Sequence, residues 1–126
     1  HASVPMANAA VTTLIKALRR IQQYTFPTRL LPSIREYFKR LAPFQAASWQ
    51  PVFNDIEAAV KRNAPILAEI MREPIYHSKT HDTAAVTVLR AGEKVNVVPE
   101  EATARVDCRL LPGTSPGAFL NLLKEI

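Results

Sequence analysis

An α+β fold is predicted by three features of the sequence. Apolar residues recur at helical spacing near the start, a pair of β-rich stretches lies late in the chain, and a capped helix follows them. Between the first helix and the strands runs a segment divided by Pro27, Pro32, Pro43, Pro51, Pro65 and Pro74. The order is helix, helical insert, hairpin, helix. Adding one strand before His1 and another after Ile126 gives βα(insert)ββα(β), the split βαβ or ferredoxin-like arrangement. The stretch is therefore expected to lack the first and last strands of an antiparallel sheet packed by two helices.

Each element has a local reason. Residues 1–6, "HASVPM", are expected to be extended, because Pro5 keeps Val4 out of helix. Asn8 is the candidate N-cap of a helix over Ala9–Gln23, where Val11, Leu14, Ile15, Leu18 and Ile21 share a face opposite Lys16, Arg19 and Arg20. In the proline-divided segment, Ser33 with Glu36 has the spacing of a capping box before Ile34, Phe38 and Leu41. Asp55 or Asn54 can start a helix carrying Ile56 and Val60, and Pro65 fits the first turn of another carrying Ile66, Leu67, Ile70 and Met71. Because nearly every turn carries an apolar anchor, the insert reads as a cluster of short helices rather than a linker.

"AAVTVLRA", Ala84 to Ala91, reads as a strand, and "GEK" at Gly92–Lys94 turns the chain. From Ala102 to Leu110 the residues alternate: Ala102, Ala104, Val106, Cys108 and Leu110 face one way, Thr103, Arg105, Asp107 and Arg109 the other. That is a strand with one buried side. Ser115 caps a last helix with Pro116 at its first position, expected to bury Phe119, Leu120, Leu123 and Ile126.

Composition narrows the function classes. The chain has 126 residues, 48% of them hydrophobic, enough for one real core but small for a complete hydrolase. Lys and Arg outnumber Asp and Glu 16 to 11. The basic residues fall in scattered clusters on the wet faces of helices, whereas a nucleic-acid surface gathers them on one face. No apolar run reaches membrane-spanning length and no signal peptide is visible. A first residue that is His, and a last helix that stops without a C-cap, suggest a piece of something larger. The partners expected therefore include neither nucleic acid nor membrane.

Few residues carry chemistry by themselves. The single cysteine, Cys108, excludes an internal disulfide and a Cys-rich zinc site, and its place on the apolar side of the strand marks a core thiol. His77 and His81 in "HSKTH" have a spacing found in metal sites, but no Cys or third ligand accompanies them; a loop before a strand holds two such histidines without a metal. Asp107 lies two residues from Arg109 on one strand face, so an ion pair is its default reading. No serine sits in a nucleophile elbow. No complete active site is present.

Two stretches, "HASVPMANAAVTTLIKALRRI" and "AAVTVLRAGEKVNVVPEEATARVDCRLLPGTSPGAFLNLLKEI", resemble the dimerisation (lid) domain of a family of di-zinc exopeptidases and amidohydrolases. The family includes aminoacylase, carboxypeptidase S, glutamate carboxypeptidase, β-alanine synthase and succinyl-diaminopimelate desuccinylase. The resemblance covers residues 1–23 and 84–126 and rests on "HAS-P", "NVVP" thirteen residues ahead of an arginine, and "DCRLLPG" in combination. The insert at about 24–83 is similar to the longer lids of the carboxypeptidase S-like branch. The resemblance implies a parent enzyme whose separate catalytic domain holds two zinc ions, with no cofactor in this stretch. It implies that His1 reaches the partner subunit's site and polarises the scissile carbonyl. It further implies that Asn96 helps hold substrate and that Arg109 clamps the substrate carboxylate. The parent would cleave amide bonds of N-acyl amino acids or dipeptides.

The split βαβ order bears on those roles. It puts His1 and Asn96 at one end of the sheet and Arg109 at the other, about ten residues or on the order of 30 Å away. One protomer would not bring all three to a small substrate, whereas a two-fold dimer would. The strand Ala84 to Ala91 is an edge guarded only by Arg90, so it and the first helix are the expected homodimer contact. Two other readings compete: a stand-alone ferredoxin-like interaction module without activity, and a basic nucleic-acid-binding domain.

Overall fold

The structure is a computed structural model that describes residues 2–4 and 6–126 of the chain. The expectations placed on His1 and Pro5 lie outside the described residues. The chain divides into two compact units: one made of the outer segments, up to Thr25 and from Thr83 to Ile126, and one made of Phe26–Asp82.

In the outer unit, α1 (Ala10–Gln23) packs on both strands of an antiparallel hairpin, β1 (Thr83–Ala91) and β2 (Ala102–Arg109). After the hairpin comes α7 (Pro116–Glu125). The α+β class and the order of elements are as the sequence predicts. Residues 2–4, expected to be extended, instead form a turn and bend. Asn8 is not the cap of α1; the N-cap is Ala9, which makes no side-chain bond there. At α7 the expected cap forms, with Ser115 Oγ accepting from the Ala118 N–H at 3.4 Å. Phe119 is buried as expected, but Leu120 is 52% exposed, because it falls one position round the helix from the covered stripe.

The hairpin register runs from Thr83 opposite Arg109 to Ala91 opposite Ala102, with a bulge between Val86 and Val88. The extra residue, Thr87, reverses which β1 positions share a face with β2. Thr83 and Ala85 lie on the Asp107–Arg109 side before the bulge, and Val88 and Arg90 lie on the Thr103–Arg105 side after it. The alternation expected for β2 holds, with Thr103, Arg105 and Arg109 exposed. The connection is longer than "GEK" suggested. Gly92 enters it at φ +60°, a conformation that glycine adopts at little cost. The chain then reverses in a turn closed by the Val97 N–H donating to the Lys94 carbonyl at 3.3 Å. Val95 and Asn96 are therefore the central residues of that turn.

The Phe26–Asp82 unit is all helical. Its elements are α2 (Pro32–Leu41), a 3-10 turn (Ala42–Phe44), α3 (Gln50–Asn54), α4 (Ile56–Lys61), α5 (Pro65–Ile70) and α6 (Pro74–Thr80). Pro32, Pro51, Pro65 and Pro74 each sit in a helix's first turn, where the missing N–H has no partner to lose. Asp55 caps α4 by accepting from the Ala58 N–H at 3.0 Å. The Ser33 capping box does not form, because the helix already begins at Pro32 and its N-cap is Leu31. Phe38, Ala42, Val52, Phe53, Ile56, Ala59, Ala64 and Ile70 make the buried core. Phe38 meets Phe53 edge-on with ring centroids 5.0 Å apart, an arrangement favoured by the ring quadrupoles. The segments leading into and out of this unit are tied together. The Arg29 N–H donates to the Thr80 carbonyl at 2.7 Å, and Thr28 Oγ1 is 2.9 Å from His81 Nε2.

Candidate functional site

The hairpin sets the geometry of the candidate site. Asn96 is exposed at the centre of the β1–β2 turn, and its carbonyl accepts from the Ala2 N–H at 3.2 Å. That bond ties the N-terminal segment to the turn that carries Asn96. His1 itself is outside the described residues. Sequence reasoning missed this bond, since a backbone carbonyl leaves no trace in residue identity.

Arg109 is the last residue of β2, opposite Thr83, at the far end of the ladder from the turn. The eight residues of β2 span about 24 Å at ~3.4 Å per step. The turn that carries Asn96 and the strand end that carries Arg109 thus lie at opposite ends of the hairpin. The Arg109 side chain is 80% exposed and is gripped by Asp107: Nε donates to Oδ1 at 2.7 Å and Nη2 to Oδ2 at 3.0 Å. The ion pair expected between these residues is present. Hydrogen bonding to Asp107 and its charge push the arginine's pKa further up, so the guanidinium stays charged.

Other titratable groups offer less. Burial, with the adjacent Asp107 carboxylate, pushes the Cys108 thiol up and away from the nucleophilic thiolate. The side chain is half-buried rather than part of the buried core expected for it. His77 lies in α6 rather than in the expected loop, and its ring stacks on that of His81 at 4.2 Å. His81 is buried, with Nδ1 2.8 Å from Thr80 Oγ1. Burial and the neighbouring His77 hold His81 below its ordinary pKa. Among the described residues no group of three or more His, Cys, Asp or Glu side chains could hold a metal ion. The described residues therefore do not fit a zinc centre. No helix among them is long and apolar enough to cross a membrane.

Along β1, the side away from β2 has no strand beside it among the described residues. Leu18, Ile21 and Gln22 of α1 line a groove with Ala84, Ala85 and Val86 of β1. Although α1 is strongly amphipathic, none of its residues is fully buried and Ile15 is 54% exposed.

Among the described residues the outer unit is a two-stranded antiparallel hairpin with α1 packed on both strands. The chain belongs to the peptidase dimerisation domain family, whose model matches residues 1–126. Among curated relatives, it is similar to the N-fatty-acyl-amino acid synthase/hydrolase of Mus musculus, with 29% identity over 99% of this chain and 24% of the relative. The enzyme of the same name from Homo sapiens is 28% identical over 100% of this chain and 25% of its own length. The probable carboxypeptidase S-like 2 of Dictyostelium discoideum is 24% identical over 100% and 24%. The chain thus spans about a quarter of the length of the curated relatives it matches. No solved structure matches it.

Proposed function

We propose that this chain is the lid of a zinc-dependent hydrolase that cleaves amide bonds of N-acyl amino acids or dipeptides, and that it completes active sites shared between two subunits. The names of the relatives describe enzymes acting at amino-acid ends, and such substrates carry a free carboxylate. The two zinc ions belong to a separate catalytic domain of the parent. The observation that carries the reading is the roughly 24 Å of hairpin between the Asn96 turn and Arg109. A two-fold partner brings its own Arg109 to the Asn96 end of the first copy. The contact runs along the free side of β1 and the half-covered apolar face of α1.

In that site, Arg109 offers a planar fork to the substrate carboxylate. Asn96 adds a polar contact from the turn. His1 donates to the oxygen of the scissile carbonyl as negative charge develops there. Removing a donor of that kind costs about 2.7–4 kcal/mol of transition-state stabilisation.

The test is complementation in the full-length parent. His1→Ala and Arg109→Ala, each expected to be strongly impaired on the N-acyl amino acid, are mixed under conditions of subunit exchange. In a mixed dimer one site keeps an intact His1 from one chain and an intact Arg109 from the other. Half the dimers are mixed and half their sites are whole, so activity recovers to about a quarter of the parent's. No recovery despite demonstrated exchange would overturn the shared site.

A further inference from the structure

We propose that Asp107 is the positioning residue of the carboxylate clamp: it grips Arg109 by the guanidinium's side edge, which turns the end-on edge toward the substrate. This rests on the reading above that Arg109 binds the substrate carboxylate. A guanidinium presents five N–H groups in a fixed plane. Asp107 takes the Nε and one Nη2 hydrogen with its two oxygens, at 2.7 and 3.0 Å. The Nη1–Nη2 edge then points away from Asp107, and it is the other edge able to receive a carboxylate with two parallel hydrogen bonds.

The surroundings favour orientation over stability. Arg109 is 80% exposed and the Asp107 side chain 41%, and ion pairs so open to water add little to folding. Asp107 also has Arg105 two residues away on the same face, yet both its oxygens turn to Arg109. Across the ladder the facing residues are Thr83 and Ala85, too small to hold the arginine by packing. Without Asp107, a long exposed side chain at the end of the strand would sample many rotamers. Each binding event would have to order it afresh.

The test uses the full-length parent and two substrates, an N-acyl amino acid and its carboxamide, which lacks the carboxylate. Asp107→Ala is expected to lower kcat/KM for the acid about ten- to a hundredfold, the scale of a group misplaced by about 1 Å. The loss falls mainly on KM, is much smaller for the carboxamide, and is partly recovered in Asp107→Glu. Equal losses on both substrates, or an unchanged preference for the acid while Arg109→Ala abolishes it, would overturn the positioning role alone. If Arg109→Ala leaves the preference intact, the clamp itself is wrong.

Discussion

Phe38 is the residue whose removal most directly tests the helical unit. Its side chain is fully buried, and it contacts the rings of Tyr37, Phe53 and Tyr76 at centroid distances of 5.6, 5.0 and 5.6 Å. Phe38→Ala deletes the ring and leaves a cavity bounded by three aromatics that cannot all collapse into it. Such changes cost about 3–5 kcal/mol. A unit of roughly 60 residues has a total stability of about 3–9 kcal/mol. The substitution therefore removes a third of that stability at the least. At about 4–8 °C per kcal/mol for a domain this size, the melting temperature falls by at least ~12 °C. Trp49 provides the readout, because it is the chain's one tryptophan and stacks on Phe53 at 6.0 Å within the same unit. Its emission, followed against temperature in the full chain, reports the Phe26–Asp82 unit alone. A variant whose Trp49 transition stays within a few degrees of the parent's would refute the reasoning that Phe38 closes this core.

Two further outcomes follow from the same unit. His81 has a folded-state pKa held below its ordinary 6.5 by burial and by His77, so the unfolded chain binds the proton more readily. Stability is then fully present above about pH 6.5 and declines as pH falls through the folded value. Urea midpoints read from Trp49 should drop between pH 7.5 and pH 5, and the drop should shrink in His81→Gln; equal drops in both proteins would remove His81 from the account. Asp55→Ala deletes the cap of α4 and should cost about 1 kcal/mol in the same assay. No loss would mean that water replaces the carboxylate at the Ala58 N–H.

Much of the fold was legible because it is written in short-range patterns. The alternation from Ala102 to Arg109 marks β2, the run of Val11, Leu14, Leu18 and Ile21 marks α1, and Pro65 in a first turn marks the start of α5. Capping was read less well. Asn8 and Ser33 are chemically able to cap, but the N-cap positions fall on Ala9 and Leu31, and at α2 the first-turn Pro32 already sets the start. The bulge at Thr87 was invisible because it depends on the partner strand. The position of His77 and His81 before a strand suggests a loop, but His77 lies in α6, whose start at Pro74 is marked as Pro65 marks α5. At the candidate site, the strand order alone separated Asn96 from Arg109, and adjacency in sequence paired Asp107 with Arg109. The Ala2 bond to the Asn96 carbonyl is a main-chain contact between residues far apart in sequence, so no local pattern announces it.

The bonds from Arg29 to Thr80 and from Thr28 to His81 make the two ends of the helical unit neighbours. A segment that leaves and returns at one point asks nothing of its host except a gap one hydrogen bond wide. Helices between those ends can be added, shortened or exchanged over evolutionary time without altering the distance the host chain must bridge.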